Sequence, residues 1–264
     1  MDLINSFWIR KRLYSNPDYL KSVFFGIEDS EKLLKINVLE SENTIHYLLE
    51  NQKSFLRWGS GESSHVLGGQ NPTQKYHPNL SRGLFNILTE YNSHSNYLLG
   101  IPCIYLKKTK FELKKLGPKK VKLWRSSRYL FNKYADQNAI YGDAFLFRKE
   151  REVSFETIKK LWENKRVILI AGSYEYFERL VNNSTVTDAN LILSPKRDSF
   201  SDLNHLLQKA KNLVKHIDDL KNTRVLVTTG PSSRIIVKEL SDQKIISYDT
   251  GNLFEHKLIQ KVDQ

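Results

Sequence analysis

The second half of the chain alternates short apolar runs with amphipathic ones, and this alternation narrows the fold more than any other feature. Residues 166–171 read as an apolar strand that leads through Gly172 into a helix over 174–181. The next strand covers 189–193 and stops at Pro195. A helix over 201–217 places Leu203, Leu206, Leu207, Ala210, Leu213, Val214 and Ile217 on one broad apolar face. A strand over 224–229 then meets Gly230-Pro231, a helix over 232–240 and a strand over 244–248. Strands that are apolar throughout and separated by helices predict a mostly parallel sheet covered on both faces.

The first half is more mixed. Residues 55–58 form an apolar strand bounded by glycine, and 78–91 a helix with Leu80, Leu84, Ile87, Leu88 and Tyr91 on one side. A strand is expected over 97–106, with Pro102 marking an edge or bulge and Cys103 as a buried strand residue. A helix over 119–135 and a strand over 139–147 follow. Residues 1–53 read as a helical extension, with Asn16-Pro17-Asp18 as one helix start. The expected organisation is a helical N-terminal extension over 1–53 and a single Rossmann-like α/β domain over 54–264, built on a mostly parallel sheet.

No apolar run approaches the ~20 residues of a membrane span, and the N-terminus lacks the pattern of a signal peptide. Cys103 is the only cysteine, so an intrachain disulfide and a multi-cysteine zinc site are excluded, and a reducing cytoplasm fits. Net charge is +12, and residues 107–128 hold ten basic residues against Glu112 alone, which leaves only +3 elsewhere. Such a field either attracts polyanions (donor phosphates, lipid head groups, nucleic acid) or is a solvated helix face. Lysine dominates it and no aromatic platform accompanies it, which argues against base reading, so no nucleic-acid partner is expected. The segment from Phe7 to Tyr14 mixes aromatics with positive charge; it either lies on an anionic membrane surface or packs on its own domain.

Chemistry-bearing residues cluster after the strands. Arg57-Trp58-Gly59-Ser60-Gly61-Glu62 carries two glycines suited to a tight turn with positive φ, an arginine fork suited to phosphate, and a carboxylate able to hold a metal or take a proton. The bland alternative is a glycine turn with a solvated glutamate. Arg148, Gly230-Pro231-Ser232-Ser233 and Asp249 each follow an apolar strand, and ligands of open α/β sheets bind at the carboxyl ends of strands. Ser232 and Ser233 either cap a helix or help its N-terminus hold a phosphate. Asp249 either fixes a turn or activates an acceptor, and Arg148 either pairs with Glu150 or Glu152 or faces a diphosphate. No His-Glu-x-x-His helix and no Gly-x-Ser-x-Gly elbow is present.

Five segments in order resemble the bacterial GT-D-fold glycosyltransferases. Arg57 to Glu62 resembles the family's Arg-Phe-Gly-Asp-Gly-Glu segment, whose Asp-x-Glu pair marks the nucleotide-sugar site. Ile101-Pro102 resembles an Ile-Pro after a strand, and Tyr141-Gly142-Asp143-Ala144-Phe145-Leu146-Phe147-Arg148 a central strand ending in arginine. Thr229-Gly230-Pro231-Ser232 resembles a late Gly-Pro turn, and Tyr248-Asp249-Thr250-Gly251-Asn252-Leu253 a closing Asp-x-Gly segment. The likeness runs from about Asn43 to about His256. It implies a transferase that moves a sugar from a nucleotide diphosphate donor, a UDP-sugar foremost, to an acceptor hydroxyl in bacterial glycan, polysaccharide or glycoprotein synthesis. The acceptor is then a glycan, free, lipid-linked or protein-linked, and the location cytoplasmic, with peripheral contact at the inner face of the membrane left open.

In that reading Arg57, Gly59, Ser60, Gly61, Arg148, Gly230, Ser232 and Ser233 bind the donor. Glu62 and Asp249 carry the catalysis, Glu62 also as the ligand of a manganese or magnesium ion. Ser60 departs from the family by replacing its first acid with a neutral, weak metal ligand, which sets metal dependence in question. Two other classes stay open. One is a non-catalytic glycosyltransferase-like binding subunit; the other is a basic nucleic-acid-binding protein.

Overall fold

The computed structural model describes residues 3–148, 152–215, 217 and 219–255. In chain order the first elements are α1 (Leu3–Ser15), α2 (Pro17–Phe25), α3 (Glu31–Lys35), β1 (Asn37–Val38), α4 (Ser41–Asn51), β2 (Ser54–Arg57) and α5 (Ser60–Val66). There follow α6 (Pro78–Glu90), β3 (Tyr97–Ile101), α7 (Cys103–Leu106), α8 (Lys110–Lys115), α9 (Pro118–Tyr134) and β4 (Ile140–Asp143). The remainder comprises α10 (Phe155–Lys159), β5 (Arg166–Ala171), α11 (Tyr174–Asn183), β6 (Asp188–Leu193), α12 (Leu203–Lys215), β7 (Thr223–Val227), α13 (Ser232–Asp242) and β8 (Ser247–Asp249). No helix among the described residues is long and apolar enough to cross a membrane.

The strands form one eight-stranded sheet in the order β1-β4-β3-β2-β8-β7-β5-β6, and they pair in parallel. The fold is therefore the expected α/β class. Every residue of β2, β3 and β7 is buried, the signature of parallel strands covered on both faces. By compactness the chain divides into two units. One holds residues up to 38, 58–95 and 101–141; the other holds 39–57, 96–100 and 142 onward.

In the first unit α9 is the axis: α2, α3, α5, α6, α7 and α8 pack on it. Its Arg128 is buried and donates to the carbonyls of Tyr105 (3.2 Å), Leu106 (2.7 Å), Lys108 (2.6 Å) and Glu28 (3.1 Å). That guanidinium caps its neighbours and is withdrawn from the exposed basic surface. Asp18 on α2 accepts from Tyr129 (3.0 Å), Lys133 (2.8 Å) and Tyr134 (2.6 Å) of α9. Burial opposes its ionisation, but these three donors outweigh it and hold the carboxyl below its ordinary range.

In the second unit the apolar strands pack against aromatic residues. Phe55 meets Phe147 edge-on at 5.7 Å, and Trp162 sits among Phe147, Phe155 and Phe254. Such ring pairs add about 0.5–1.5 kcal/mol each beyond their buried area.

Three of the expected strands are displaced by three residues or more at one end. The strand over 97–106 stops at Ile101, because Pro102 has no N–H for the ladder and instead starts α7; Cys103 is helical and half-buried. The strand over 139–147 stops at Asp143, whose side chain accepts the Phe145 N–H at 2.8 Å and turns the chain. Ser41 donates to the same carboxylate. The strand over 244–248 begins at Ser247, since Lys244 adopts a left-handed φ of 61° and Ile245 N–H returns to Leu240 O at 3.0 Å.

Candidate functional site

β2 and β8 are neighbours in the second unit, with Phe55 paired to Tyr248, so Arg57 and Asp249 end adjacent strands at the same edge. β7 flanks β8 on its other side and leads through residues 228–231 into α13. Three chain segments thus meet at the carboxyl ends of central strands.

The meeting point is a buried charge cluster. Arg57 Nε donates to the backbone oxygen of Asp249 at 2.9 Å and to its Oδ2 at 3.3 Å, and Nη2 reaches Oδ1 at 3.4 Å. Arg234 Nε lies 3.3 Å from the same Oδ2 and donates to Arg57 O at 2.7 Å, while its Nη1 donates to Gly230 O at 2.6 Å. Gly251 N–H donates to Asp249 Oδ1 at 3.2 Å. Asp249 has no exposed surface, and Arg57 and Arg234 are 5% and 7% exposed. Two guanidinium groups share one carboxylate, so a positive surplus is fixed at the strand ends. Burial pushes the Arg57 guanidinium down from its ordinary range; Asp249 counters this, and the fields of Arg234 and Arg148 add to it.

Sequence reasoning missed Arg234. The motif Gly230-Pro231-Ser232-Ser233 ends one residue before it. The signal was present: α13 has no acid in its first turn, and a cation there opposes the helix dipole unless an anion compensates. Arg234 also lies among Ser233, Ile236 and Val237 on the buried side of α13.

The predicted residues fall into distinct settings. Gly230 has a φ of 64°, the left-handed turn before α13. Ser232 and Ser233 are fully buried, with hydroxyls bonded inside the turn: Ser232 to Thr229 O at 2.8 Å and to Ser199, Ser233 to Thr229 N–H at 2.9 Å. Those hydroxyls close the turn. Arg148 does not end a strand. It lies beyond the Asp143 turn, is exposed, and sits 5.9 Å over the Phe145 ring. Glu150, one of its expected partners, and His256 lie outside the described residues.

Gly59, Ser60, Gly61 and Glu62 belong to the first unit. The expected positive-φ turn is not formed: Gly59 is extended at φ −144°, and Ser60 and Gly61 open α5. Helix formation wins because Glu62, at the third helical position, reaches back to accept the Gly59 N–H at 2.8 Å. Glu62 is 5% exposed. Among the described residues no group of three or more His, Cys, Asp or Glu side chains is arranged for a metal ion. With Ser60 neutral and Glu62 engaged in its own helix cap, the donor set does not fit a cation site carried by the protein alone.

The family model of the glycosyltransferase GT-D fold matches residues 55–256. The chain is 23% identical over 256 residues to the probable glycosyl transferase Gly of Streptococcus gordonii, covering 90% of this chain and 35% of that protein. It is 21% identical over 269 residues to the glycosyltransferase GlyD of Streptococcus pneumoniae serotype 4, covering 92% of this chain and 31% of that one. It therefore spans about a third of the length of these curated relatives. Among solved structures, a glycosyltransferase (DUF1792) from Streptococcus sanguinis superposes with a TM-score of 0.67 at 20% identity, covering 83% of this chain and 82% of that one. A further DUF1792 structure, described as a distinct glycosyltransferase fold, gives 0.65 at 22% identity over 84% and 80%. At these identities the likeness is one of fold.

Proposed function

The chain belongs to the glycosyltransferase GT-D-fold family, and from that premise we propose that it transfers a sugar from a nucleotide diphosphate donor, a UDP-sugar foremost, to an acceptor hydroxyl of a glycan. The observation that carries this reading is the sharing of Asp249 by Arg57 and Arg234. The departing nucleoside diphosphate gains negative charge as the glycosidic bond breaks. A positive surplus already oriented and shielded from water stabilises that charge without reorganising. Asp249 holds the two guanidinium groups. Its oxygens are occupied by them and by the Gly251 N–H, so we assign it to positioning in place of the general-base role expected from sequence. Arg148, exposed, contributes further positive charge to the donor phosphates. Gly230 shapes the α13 turn and gives Arg234 an acceptor, and Ser232 and Ser233 hold that turn closed.

A thermal-shift series with nucleotide sugars, combined with a donor-hydrolysis assay, tests the proposal. Native protein is expected to be stabilised by its donor, since a ligand that binds only the folded state raises its melting point. Arg57→Ala should reduce donor turnover by about a hundredfold or more, the scale seen when one fixed donor to a developing oxyanion is removed. A variant with unchanged turnover rules out the assignment. Stabilisation by the donor without hydrolysis or transfer favours the non-catalytic subunit, the reading that Ser60 keeps open.

We further propose that Glu62 helps orient the donor sugar and that metal dependence is weak because position 60 carries no charge. Ser60→Asp would place a second carboxylate two residues before Glu62, restoring the Asp-x-Glu spacing, and is expected to raise stimulation by manganese about tenfold or more, as hard cations bind carboxylate oxygen well above hydroxyl. Full chelator sensitivity of the native protein, restored by manganese, contradicts this.

A further inference from the structure

The first unit carries a groove of about 590 Å³ that the proposed reaction does not use. It is lined by Tyr14 of α1 and Tyr19 of α2, whose rings meet edge-to-face at 5.8 Å, and by Lys114 of α8 with Pro118, Val121, Lys122 and Arg125 of α9. No carboxylate lines it. Three other cations of the same helices are engaged: Lys110 pairs with Glu28 at 2.6 Å, Lys133 with Asp18 at 2.8 Å, and Arg128 donates to carbonyls. Lys114, Lys122 and Arg125 make no ion pair or side-chain hydrogen bond among the described residues, and the buried Nε of Arg125 has no partner there. Three unneutralised cations in one groove with two tyrosines call for an anion with an apolar or ring-shaped body.

The helices that build the groove are also where apolar surface is left in water. Of the fifteen large hydrophobic residues that are exposed among the described residues, eleven belong to this unit, so the exposure is local and not scattered. Phe7 and Trp8 on α1, Phe24 and Phe25 on α2, and Phe111 on α8 are each half-exposed or more. Lys11 lies 5.1 Å over the Trp8 ring and Lys115 lies 4.3 Å over Phe111. Cores of protein interfaces are depleted of lysine, whereas aromatics interleaved with lysine suit the head-group layer of an anionic bilayer.

We propose that this groove seats the phosphate of an anionic membrane lipid while the aromatic side chains of α1, α2 and α8 enter the interfacial layer. Lys114, Lys122 and Arg125 receive the phosphate oxygens, and Tyr14 and Tyr19 border the glycerol region. The inference stands on the groove and its flanks and does not depend on the reaction proposed above.

Vesicle co-sedimentation of the full chain tests it, using phosphatidylcholine with and without phosphatidylglycerol. The groove variant Lys114→Gln/Lys122→Gln/Arg125→Gln is compared with Lys107→Gln/Lys108→Gln/Lys119→Gln, which removes the same charge from the same basic stretch outside the groove. Native protein should partition to the anionic vesicles only. The groove variant should lose about a hundredfold in partition, and the control about tenfold or less, because contact with a head group counts for more than a screened surface field. Vesicle binding should also blue-shift tryptophan emission, and Trp8→Phe should remove that shift, since Trp58, Trp124 and Trp162 are buried. Equal losses in the two triple variants, or no preference for anionic vesicles, overturn the proposal. Inorganic phosphate that raises the melting point of native protein but not of the groove variant, without vesicle binding, reassigns the groove to free phosphate and overturns the lipid.

Discussion

Asp249→Asn is expected to destabilise the protein by about 3–5 kcal/mol, as removing one partner of a buried ion pair leaves the other charge uncompensated. Here two partners are left. Arg57 and Arg234 both lie 3.3 Å from Asp249 Oδ2, and neither has appreciable access to water. The amide keeps the shape of the carboxylate and one acceptor, so the loss is mainly of charge. It is a large fraction of the ~5–15 kcal/mol by which domains are stable. Urea denaturation measures it, with Asp242→Asn as the control. Asp242 pairs with Lys238 at 2.9 Å on the surface, and that change should stay within about 0.5 kcal/mol. The cause can be separated from the size. If the cost comes from stranded guanidinium groups, adding Arg234→Met to Asp249→Asn should restore part of the stability, a positive coupling between neighbours. A loss below about 1 kcal/mol, or strict additivity of the two changes, would mean that the cluster is not the electrostatic unit drawn here.

Much of the architecture was legible because parallel sheets write themselves as apolar runs. β5 carries the bounds read from periodicity, and the strands and helices of the second half shift by a few residues at most. The boundaries that moved did so where a single side chain or backbone group decides. Asp143 ends β4 by capturing the Phe145 N–H, and Pro102 ends β3 by lacking one. Periodicity averages over a window and is blind to such single events. The site was legible in part. Asp249 announced itself by following an apolar strand and Arg57 by standing just before the glycines at 59 and 61, and sheet order brought β2 beside β8. No pattern within either segment states that the two strands are adjacent, although they are some 190 positions apart. Arg234 escaped because it sits inside a helix, where an arginine reads as solvated by default. Glu62 looks available for a metal or a proton because helix capping from the third position has the same appearance in sequence as an uncommitted acid.

Gly251→Ala is expected to disable the same cluster from the other side of the chain. Gly251 has a φ of 53°, but that alone does not demand glycine, since Gln52, Asn164, Asp198 and Lys244 adopt similar values. The demand comes from Arg57. A Cβ on residue 251 would stand 1.7 Å from Arg57 Nη2 and 2.6 Å from its Cζ. The guanidinium cannot yield without leaving Asp249, which it meets at the backbone oxygen at 2.9 Å and at Oδ2 at 3.3 Å. Backbone strain in the left-handed region costs about 1–2 kcal/mol, and the displaced charge-assisted hydrogen bonds about 1.5–3 kcal/mol more. The summed loss, about 2.5–5 kcal/mol, should be visible in urea denaturation, and donor-induced thermal stabilisation should disappear with it. The two contributions separate in a second background. With Arg57→Ala already in place, the space is empty, and Gly251→Ala should then cost only the strain of about 1–2 kcal/mol. Such non-additivity is what a direct clash requires. If alanine at 251 costs the same with and without Arg57, the glycine serves the turn alone, and the close packing of Asp-x-Gly against the arginine has no part in holding the donor site.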